Sequence, residues 1–508
     1  MYLYVLNDSN DYDVATNATI SNSLNTHEGL RYLISSSSKV VFNNIDVYDL
    51  VNKGNATINS GKLNSSSQAF IDNKNVLNIK NISANGIMGL FTNDGPDFTV
   101  ENTTISNGGH FFLENYGGNM HILDGHYAGL ESYSYRDTDK IQSGLPTTTV
   151  DGGTFLLEDH SVGNSGYGVA DGRHLIMSYG GNIILNGGTF SASAPSTYTS
   201  KHVITAVNNS NITINNGTYT TDSKLFRIES GSHLIMNGGN VSVNAVDRDN
   251  EDDYINIGGL TMRAKIDING GVLNINSINH QKASVIIGIY NGEFNINEGG
   301  TVNINDLSLT QDENTYRGGV GNAIYINNTG AFNINGGTLN VNNDKSLYIF
   351  IDDYNGGKGL SVNNGVFNYT GNDIKAYKKQ YDFDLNEYVE NPKNILMRDG
   401  IMYLKDRNQP IKAPTGFVIN YEDVNTGVKA TVTRDGNSSI LPGDWNEDGV
   451  VSIDDVLCYR QYLADNQEVK NEYLYEFDSV KKAAVDLNND NTLDLVDLVK
   501  VRLIAAES

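Results

Sequence analysis

The feature that most constrains the fold of this chain is a short glycine-centred unit that recurs through its first 370 residues. Each copy is an Asn, Asp or Glu followed by Gly-Gly or Asn-Gly, with alternating apolar and polar residues on both sides. Clear copies begin at residues 151, 186, 215, 237, 269, 298, 335 and 363, and weaker ones cover 58–63 and 106–111. One short unit repeated at intervals of about 22 to 37 residues is typical of a solenoid, whose units pack only against their neighbours.

The residues around each copy predict strands rather than helices. Stretches such as NITINNGTYT and AFNINGGTLNVN alternate strictly between polar and apolar residues, which is the period of a strand with one buried face. Glycine in the middle allows a bend without a Cβ clash, and the Asn residues are expected to stack as ladders between coils. We therefore predict a mainly β chain: a right-handed parallel β-helix of roughly a dozen coils between about residues 15 and 372, within a domain spanning 1–372.

The extra residues of the longer repeats fall at one phase, after the strand that follows the glycines. Insertions at a constant phase project from one edge of a solenoid, which is where such proteins bind ligands. Their Tyr, Asp, Asn, Arg and His residues suit a groove for polysaccharide, although loops of this composition are also ordinary solvated loops. The segments are 157–173, 191–201, 245–254, 306–322 and 343–358, and we place 124–140 with them.

Two clusters in these loops are candidate catalytic groups. The first is Arg136, Asp137 and Asp139, and the second is Arg248, Asp252 and Asp253. A polysaccharide lyase needs carboxylates and a nearby basic group, and a glycoside hydrolase needs two carboxylates flanking the bond. The Asp252-Asp253 pair resembles that of polygalacturonase-type hydrolases, but the other motifs of that family and the pectate lyase signatures are absent. Catalysis therefore stays open.

The composition changes after Gly371. Residues 373–440 are charged and proline-containing, and 415–437 predict two strands joined by a glycine-containing turn. We interpret 373–440 as a cap, a β-hairpin and a linker before a last domain at 441–508.

Charge and cysteine content exclude several classes of function. The net charge is -25, which leaves too little positive charge to bind nucleic acid or an anionic membrane surface. No segment is apolar enough to span a bilayer. The single cysteine, Cys458, cannot form an intramolecular disulfide and falls where a helix is expected to bury it.

Two similar acidic loops near the C-terminus predict calcium sites. The loops are DWNEDGVVSIDD (444–455) and DLNNDNTLDLVD (486–497), and each is followed by apolar residues at helical spacing. Oxygen-bearing residues stand at positions 1, 3, 5, 9 and 12, with a backbone carbonyl at position 7, as a calcium loop requires. Asn491 stands where the first loop has Gly449 and can take the same left-handed turn. The predicted ligands of two Ca²⁺ ions are Asp444, Asn446, Asp448, Val450, Ser452, Asp455, Asp486, Asn488, Asp490, Thr492, Asp494 and Asp497.

Residues 441–508 resemble a type I dockerin, the calcium-dependent module by which bacterial cellulosomal proteins bind cohesin modules of a scaffoldin. The resemblance rests on the duplicated loops, on Asp at position 12 of both, and on LPGD, which forbids a helix before the first loop. It implies an EF-hand-like helical domain. It also implies cohesin contacts at Ile453, Asp454, Arg460, Gln461, Leu495, Val496, Arg502 and Leu503.

The combined expectation is a secreted component of a cellulosome-like complex. The solenoid is similar to the β-helices of the pectate-lyase-like superfamily, so we expect it to bind and possibly degrade plant polysaccharide as a lyase or hydrolase. The alternative is a non-catalytic, adhesin-like or structural solenoid displayed through its dockerin. The resemblance implies an extracellular or cell-surface location, a leader that this chain does not include, and a monomer apart from its scaffold.

Overall fold

The structure is a computed structural model of the 508-residue chain. It describes residues 4–5, 11–14, 17–21, 31–63, 68–85, 88–106, 110–134, 145–157, 174–193, 202–222, 224–245, 255–258, 263–277, 285–305, 322–327, 329–342, 346–352, 358–369, 371–382, 387–414, 416–435, 440–445, 450–463 and 479–507.

Long parallel sheets dominate the described residues, and successive strands along the chain lie in the first, second and third sheet in turn. Each coil thus contributes one strand to each sheet, as in a β-helix solenoid. Strands are numbered in chain order. The first sheet contains β1 (Tyr4–Val5), β2 (Asp11–Val14), β4 (Arg31–Ile34), β7 (Asp49–Asn52), β10 (Gln68–Asn73), β13 (Met88–Asn93), β16 (His110–Asn115), β19 (Gly129–Tyr133), β22 (His174–Tyr179), β25 (His202–Val207), β28 (Lys224–Glu229), β31 (Ile255–Gly258), β34 (Val285–Ile289), β37 (Asn322–Ile326), β40 (Leu347–Ile351), β43 (Ile374–Asp382) and β44 (Glu387–Pro392).

The second sheet is parallel throughout, and the third is parallel except at its end. The second contains β3 (Ala18–Ser21), β5 (Lys39–Asn43), β8 (Asn55–Ile58), β11 (Val76–Lys80), β14 (Asp97–Glu101), β17 (Asn119–Ile122), β20 (Thr147–Val150), β23 (Asn182–Leu185), β26 (Asn211–Ile214), β29 (His233–Met236), β32 (Ala264–Ile268), β35 (Gly292–Asn297), β38 (Ala331–Asn335), β41 (Gly359–Asn363), β45 (Ile395–Met397) and β47 (Ile411–Lys412). The third has a short part, β6 (Ile45–Val47), β9 (Gly61–Leu63), β12 (Ile82–Asn85) and β15 (Thr104–Ser106), and a long part, β18 (His126–Tyr127), β21 (Thr154–Leu157), β24 (Thr189–Ala192), β27 (Thr218–Thr221), β30 (Asn240–Ala245), β33 (Val272–Ser277), β36 (Thr301–Asn305), β39 (Thr338–Asn342), β42 (Val366–Tyr369), β46 (Ile401–Leu404), β48 (Phe417–Val424) and β49 (Gly427–Arg434).

The second sheet has 16 strands in the described residues, 14 of them between residues 15 and 372, so the number of coils there is close to the rough dozen that was predicted. The early coils turn at Asn instead of glycine: Asn44, Asn81 and Asn102 have φ of 52°, 52° and 53° between the second and third sheets. Asn tolerates this left-handed conformation, so these corners need no Gly-Gly pair. Where the pairs do occur they turn the chain, as at Gly188, whose φ is 106°.

Parallel pairing continues past the expected boundary at residue 372. Strand β45 pairs with β41, β46 with β42 and β47 with β45, all parallel. The hairpin expected over 415–437 is present as β48 and β49, which pair antiparallel with each other and through β49 with β46. Because antiparallel strands end the parallel stack, and Ile419, Tyr421 and Val432 pack against the core, the hairpin covers the open end of the sheet.

The solenoid core is a column of inward-facing side chains at matching positions of successive coils. Tyr127, Phe155, Phe190 and Tyr219 form one such column, with ring centroids 4.5 to 5.0 Å apart. Burying each ring contributes on the order of 2–3 kcal/mol, and it is available only when neighbouring coils stack.

The C-terminal part has its own small core. Its helices are α1 (Ile453–Leu463), α2 (Ser479–Val485) and α3 (Leu495–Glu507), and α1 packs against α3. Trp445 is the centre of a buried cluster with Val451, Tyr459 and Val501, and Cys458 is buried there as expected. None of the helices in the described residues is long and apolar enough to cross a membrane.

Candidate calcium loops and partner surface

The second acidic loop is described completely, and its first carboxylate organises it. Asp486 accepts the backbone N–H of Asp490 through Oδ1 (3.2 Å) and that of Asn491 through Oδ2 (2.7 Å). Asn491 has a φ of 66°, the left-handed conformation predicted for it. The chain is therefore curled around the Asp486 carboxylate, so that side chains from both ends of the loop face the same side.

The carboxylates at position 12 are held in the same way in both loops. Asp455 accepts the N–H groups of Trp445 (2.8 Å) and Ser452 (2.7 Å). Asp497 accepts those of Asn488 and Asp494, both at 3.1 Å. Asp455 and Asp497 are fully buried, so each draws the start of its loop onto the following helix. The sequence repeat is thus also a repeat of hydrogen bonding.

Position 9 of each loop begins the following helix. Ser452 Oγ accepts the N–H of Asp454, and Asp494 Oδ1 accepts the N–H of Val496. These are N-caps, which satisfy amide groups that the first helical turn leaves unpaired. Each loop is therefore anchored to a helix at its C-terminal end. Before the first loop, residues 440–445 contain no helix, whereas α2 directly precedes the second loop.

Within the described part of the chain, no three His, Cys, Asp or Glu side chains are arranged as a metal site. Of the predicted ligands of the first loop, Asn446 and Asp448 lie outside the described residues, while the backbone of Val450 is described. In the second loop the carboxylates of Asp486 and Asp497 face the loop's own amides. A carboxylate has about four acceptor positions, so these hydrogen bonds leave oxygen lone pairs for a cation.

The second-loop carboxylates nevertheless converge on one group. The pKa of Tyr459 is raised by burial first, and then by the nearby carboxylates of Asp497, Asp494 and Asp486. Tyr459 lies on α1, after the first loop, so the two copies face each other across the core. The side chain of Asn488 and the Thr492 carbonyl belong to the same loop.

The outer surfaces of α1 and α3 are unusually apolar. Ile453 is 65% exposed, Leu495 68% and Leu503 59%, and Val496 is exposed beside them. These are four of the predicted cohesin contacts. Arg460, Arg502 and Asp454 are exposed too, whereas the side chain of Gln461 is outside the description.

Two further exposed apolar residues extend this surface. Leu457 and Val499 belong to the apolar residues at helical spacing that follow the two loops, and both are exposed. Ile453 and Leu457 are four residues apart on α1, as Leu495, Val499 and Leu503 are on α3, so each helix presents an apolar stripe. Helical spacing alone could not show which apolar stripe faces outward.

Both clusters of candidate catalytic residues lie outside the described residues: Arg136, Asp137 and Asp139 within 135–144, and Arg248, Asp252 and Asp253 within 246–254. Their flanks are described. Ser134 follows the C-terminal end of β19, whereas Ile255 begins β31, four strands further along the same sheet. The flanking residues are therefore at opposite edges of the sheet and about 19 Å apart along the stack.

Strand ends also show which insertions share a phase. The segments starting at 157, 191, 245 and 306 lie between a third-sheet strand and a first-sheet strand, as expected. Segment 124–140 does not belong with them, because it contains β18 and β19. Segment 343–358 contains β40. Short strands flanked by polar residues were mistaken for loop.

A tyrosine row on the first sheet was not expected from the sequence. Tyr116 stacks on Tyr133 (centroids 5.5 Å apart), which packs against Tyr179 at 6.2 Å. Burial and the adjacent Glu131 carboxylate raise the pKa of Tyr133 above its ordinary value. Glu114 and Glu131 are register partners on neighbouring coils, but both are buried, so a polymer could not reach them.

No family model, no curated protein and no solved structure matches this chain.

Proposed function

We propose that this chain is a polysaccharide-engaging solenoid that is attached to a larger assembly through a calcium-dependent, dockerin-like C-terminal module. The observation that carries the proposal is the repeated loop geometry. In both loops a buried position-12 Asp binds two amides of its own loop, and a position-9 side chain caps the next helix. Solvated acidic turns would have no reason to repeat this arrangement.

Calcium is the cation that this donor set suits. The loops offer carboxylates, amide oxygens, a hydroxyl and carbonyls, which are the oxygen ligands Ca²⁺ prefers, and no soft sulfur or imidazole ligand. In the first loop the ion would be held by Asp444, Asn446, Asp448, Val450, Ser452 and Asp455. In the second it would be held by Asp486, Asn488, Asp490, Thr492, Asp494 and Asp497. Bound calcium would neutralise buried carboxylates and tie each loop to its helix.

The helix stripes support a protein partner. An exposed apolar surface in a small module marks an interaction site. Here it is bordered by Arg460 and Arg502, and Arg is enriched at interfaces. Both stripes begin at a calcium loop, so their orientation depends on the loops. We therefore propose a cohesin module of a scaffoldin as the partner, with contacts at both helices, and a secreted or cell-surface location for the complex.

The solenoid half has two candidate roles. One is an enzyme, a lyase or glycoside hydrolase, whose groups lie in the loops at 135–144 and 246–254. The other is a non-catalytic, adhesin-like or structural solenoid. The stacked tyrosines on the first sheet favour binding. A right-handed coil is expected, because parallel crossovers are right-handed in nearly all cases.

Calorimetry of the calcium-stripped full chain tests the C-terminal half. Ca²⁺ is titrated first, and then a panel of cohesin modules is added with Ca²⁺ or with chelator. We expect two bound ions and a cohesin complex that forms only with calcium. Replacing Ile453 and Leu495 by Asp should abolish the complex and keep both ions. Absence of calcium binding would refute the proposal, and cohesin binding that ignores chelator would refute its calcium dependence.

Incubation with pectins, xylans and glucans tests the solenoid half. Unsaturated products would identify a lyase and point to Arg136 and Arg248, whereas new reducing ends alone would identify a hydrolase and point to Asp252 and Asp253. Retention on one polymer without any product would establish the binding role.

A further inference from the structure

The middle of the third sheet, from β21 to β42, differs from the other faces in having no charged residue at its described outward positions. From β21 to β42 its described outward positions contain no Asp, Glu, Lys or Arg, although these residues make up 19% of the chain. The positions are Thr154, Leu156, Thr189, Ser191, Thr218, Thr220, Asn240, Ser242, Asn244, Val272, Asn274, Asn276, Thr301, Asn303, Asn305, Thr338, Asn340, Asn342, Val366 and Asn368. We call this surface the neutral face.

The other two sheets are charged on their outer sides. The second sheet carries Asp97, Lys265 and Asp267 at outward positions, and the first carries Arg227. A protein with a net charge of -25 would be expected to distribute charge over every exposed surface, since charge maintains solubility. A charge-free face on such a protein therefore favours a role in which charge would interfere.

Side chains on the neutral face form a regular lattice. The strands pair in register, Thr189 with Thr218 and Asn274 with Asn303, so equivalent side chains repeat about every 4.8 Å along the stack. Alternate residues of one strand are about 6.6 Å apart. Most of these side chains are half-buried or exposed, so their polar groups form a flat, ordered surface.

Two asparagine ladders hold part of the lattice in one orientation. Asn303 donates to Asn274, Asn340 to Asn303 and Asn368 to Asn340, over 2.6 to 2.8 Å. In the second ladder, Asn276, Asn305 and Asn342 each donate to the Asn of the preceding coil over 2.7 to 2.9 Å. Inner members of a ladder, such as Asn303 and Asn340, use one N–H and one lone pair there and keep one of each for a ligand, whereas Asn274 also donates towards Asn240 and Ser242. The result is rows of aligned donors and acceptors that the ladders already hold in one orientation, so a ligand would order few additional side chains when it binds.

We propose that the neutral face binds an extended, uncharged polysaccharide. Sugar hydroxyl groups donate and accept hydrogen bonds, as Asn, Thr and Ser do, and an extended polymer repeats them at regular intervals. A polyanion such as polygalacturonate would bury carboxylates on a face without cations, which is costly, and would be repelled by the protein's net charge. This inference rests on the proposed function and specifies its substrate class and surface.

The test is retention of the full chain on insoluble cellulose, xylan and mannan, with immobilised polygalacturonate as the charged polymer. The test variant combines Thr218→Glu with Thr301→Glu, three strands apart on the neutral face. Its matched control combines Thr149→Glu with Thr213→Glu at outward positions of the second sheet. Melting temperatures near that of the wild type verify that both variants fold.

We expect the wild type and the control to bind a neutral polymer and the test variant to bind at least about tenfold more weakly. Equal binding by the two variants would overturn the neutral face as the site while leaving polysaccharide binding intact. Retention on polygalacturonate alone would overturn the neutral substrate class but not the proposed function. Retention on none of the polymers would refute both the inference and the binding role of the solenoid.

Discussion

At the residue scale, Asp497 provides the sharpest test of the calcium proposal. Its buried carboxylate accepts hydrogen bonds from two backbone N–H groups. An Asn side chain in its place could accept only one of them through its oxygen, and its own NH2 group would face the other backbone N–H. Asp497→Asn is expected to lower the stability of the C-terminal module by about 1–3 kcal/mol. It is also expected to reduce the calcium stoichiometry measured by calorimetry from two to one. Asp454→Asn, an exposed carboxylate of the first copy, is the control and should keep both ions.

The environment of Asp267 on the second sheet leads to a prediction of how the stability of the solenoid changes in acid. Burial by itself raises the pKa of Asp267, but hydrogen bonds from His233 (2.7 Å) and Asn295 (2.8 Å), with Lys265 at 3.1 Å, hold it below the ordinary value of 3.8. A folded-state pKa below the unfolded value contributes stability that is present above pH 3.8 and is lost as pH falls through the folded pKa. Asp267→Asn should therefore lower the melting temperature at neutral pH and flatten its decline below pH 4.

Exposed Asp373 provides the control for this prediction. Asp373→Asn should leave both the melting temperature and its dependence on acid close to those of the wild type. A pH profile of Asp267→Asn that parallels the wild type would show that another carboxylate carries the acid response.

At the element scale, the asparagine ladders differ in how much stability they contribute. The Nδ2 of buried Asn73 shares its two N–H groups among three acceptors, Asn93 Oδ1 (2.8 Å) and the backbone carbonyls of Asn75 (2.7 Å) and Asp97 (3.0 Å), and its Oδ1 accepts from Asn52 (2.8 Å). Exposed Asn269 has ladder partners on both sides, but water can replace them. Asn73→Ala should cost about 3 kcal/mol or more, because buried partners lose their bonds, and Asn269→Ala about 1 kcal/mol or less. Urea unfolding followed by circular dichroism measures both, and equal losses would contradict this ranking.

The strands were largely predictable from the sequence because one-sided burial imposes strict alternation, as in NITI (211–214), whose Ile side chains are buried. The early coils gave only a weak glycine signal because their corners use Asn44, Asn81 and Asn102, whose side chains are not distinct from the surrounding Asn. The strands of the neutral face are paired neighbours in the sheet but lie far apart in the sequence. This face could therefore be identified only from the structure. In the two acidic loops, the spacing of oxygen-bearing residues was enough to predict the candidate calcium ligands. The outward direction of Leu457 and Val499 could not be predicted, because it depends on how α1 packs against α3.

At the scale of the whole molecule, the chain consists of two parts with separate cores. The solenoid core extends from Ile20 to Ala430, and the C-terminal core contains Trp445 to Val501 with no residue in common. The first gains stability from many stacked coils. In its described residues the second has seven buried hydrophobic side chains and also buries Asp444, Asp455, Asp486 and Asp497. Buried carboxylates without a cation repel one another and are costly, so the second part, whose small core offers little to offset this cost, should depend on calcium.

Removal of calcium from the full chain should therefore unfold the C-terminal module and leave the solenoid intact. Helices of 11 and 13 residues are marginal without tertiary packing, and the packing depends on loops that the ions would tie together. The single tryptophan of the chain, Trp445, is buried in this module, so its fluorescence reports on this part alone. Chelator should shift its emission to longer wavelength, excess Ca²⁺ should reverse the shift, and the far-ultraviolet β signal should persist. If neither chelator nor Ca²⁺ changes the emission wavelength, the module folds without the ion and the proposed calcium dependence is wrong.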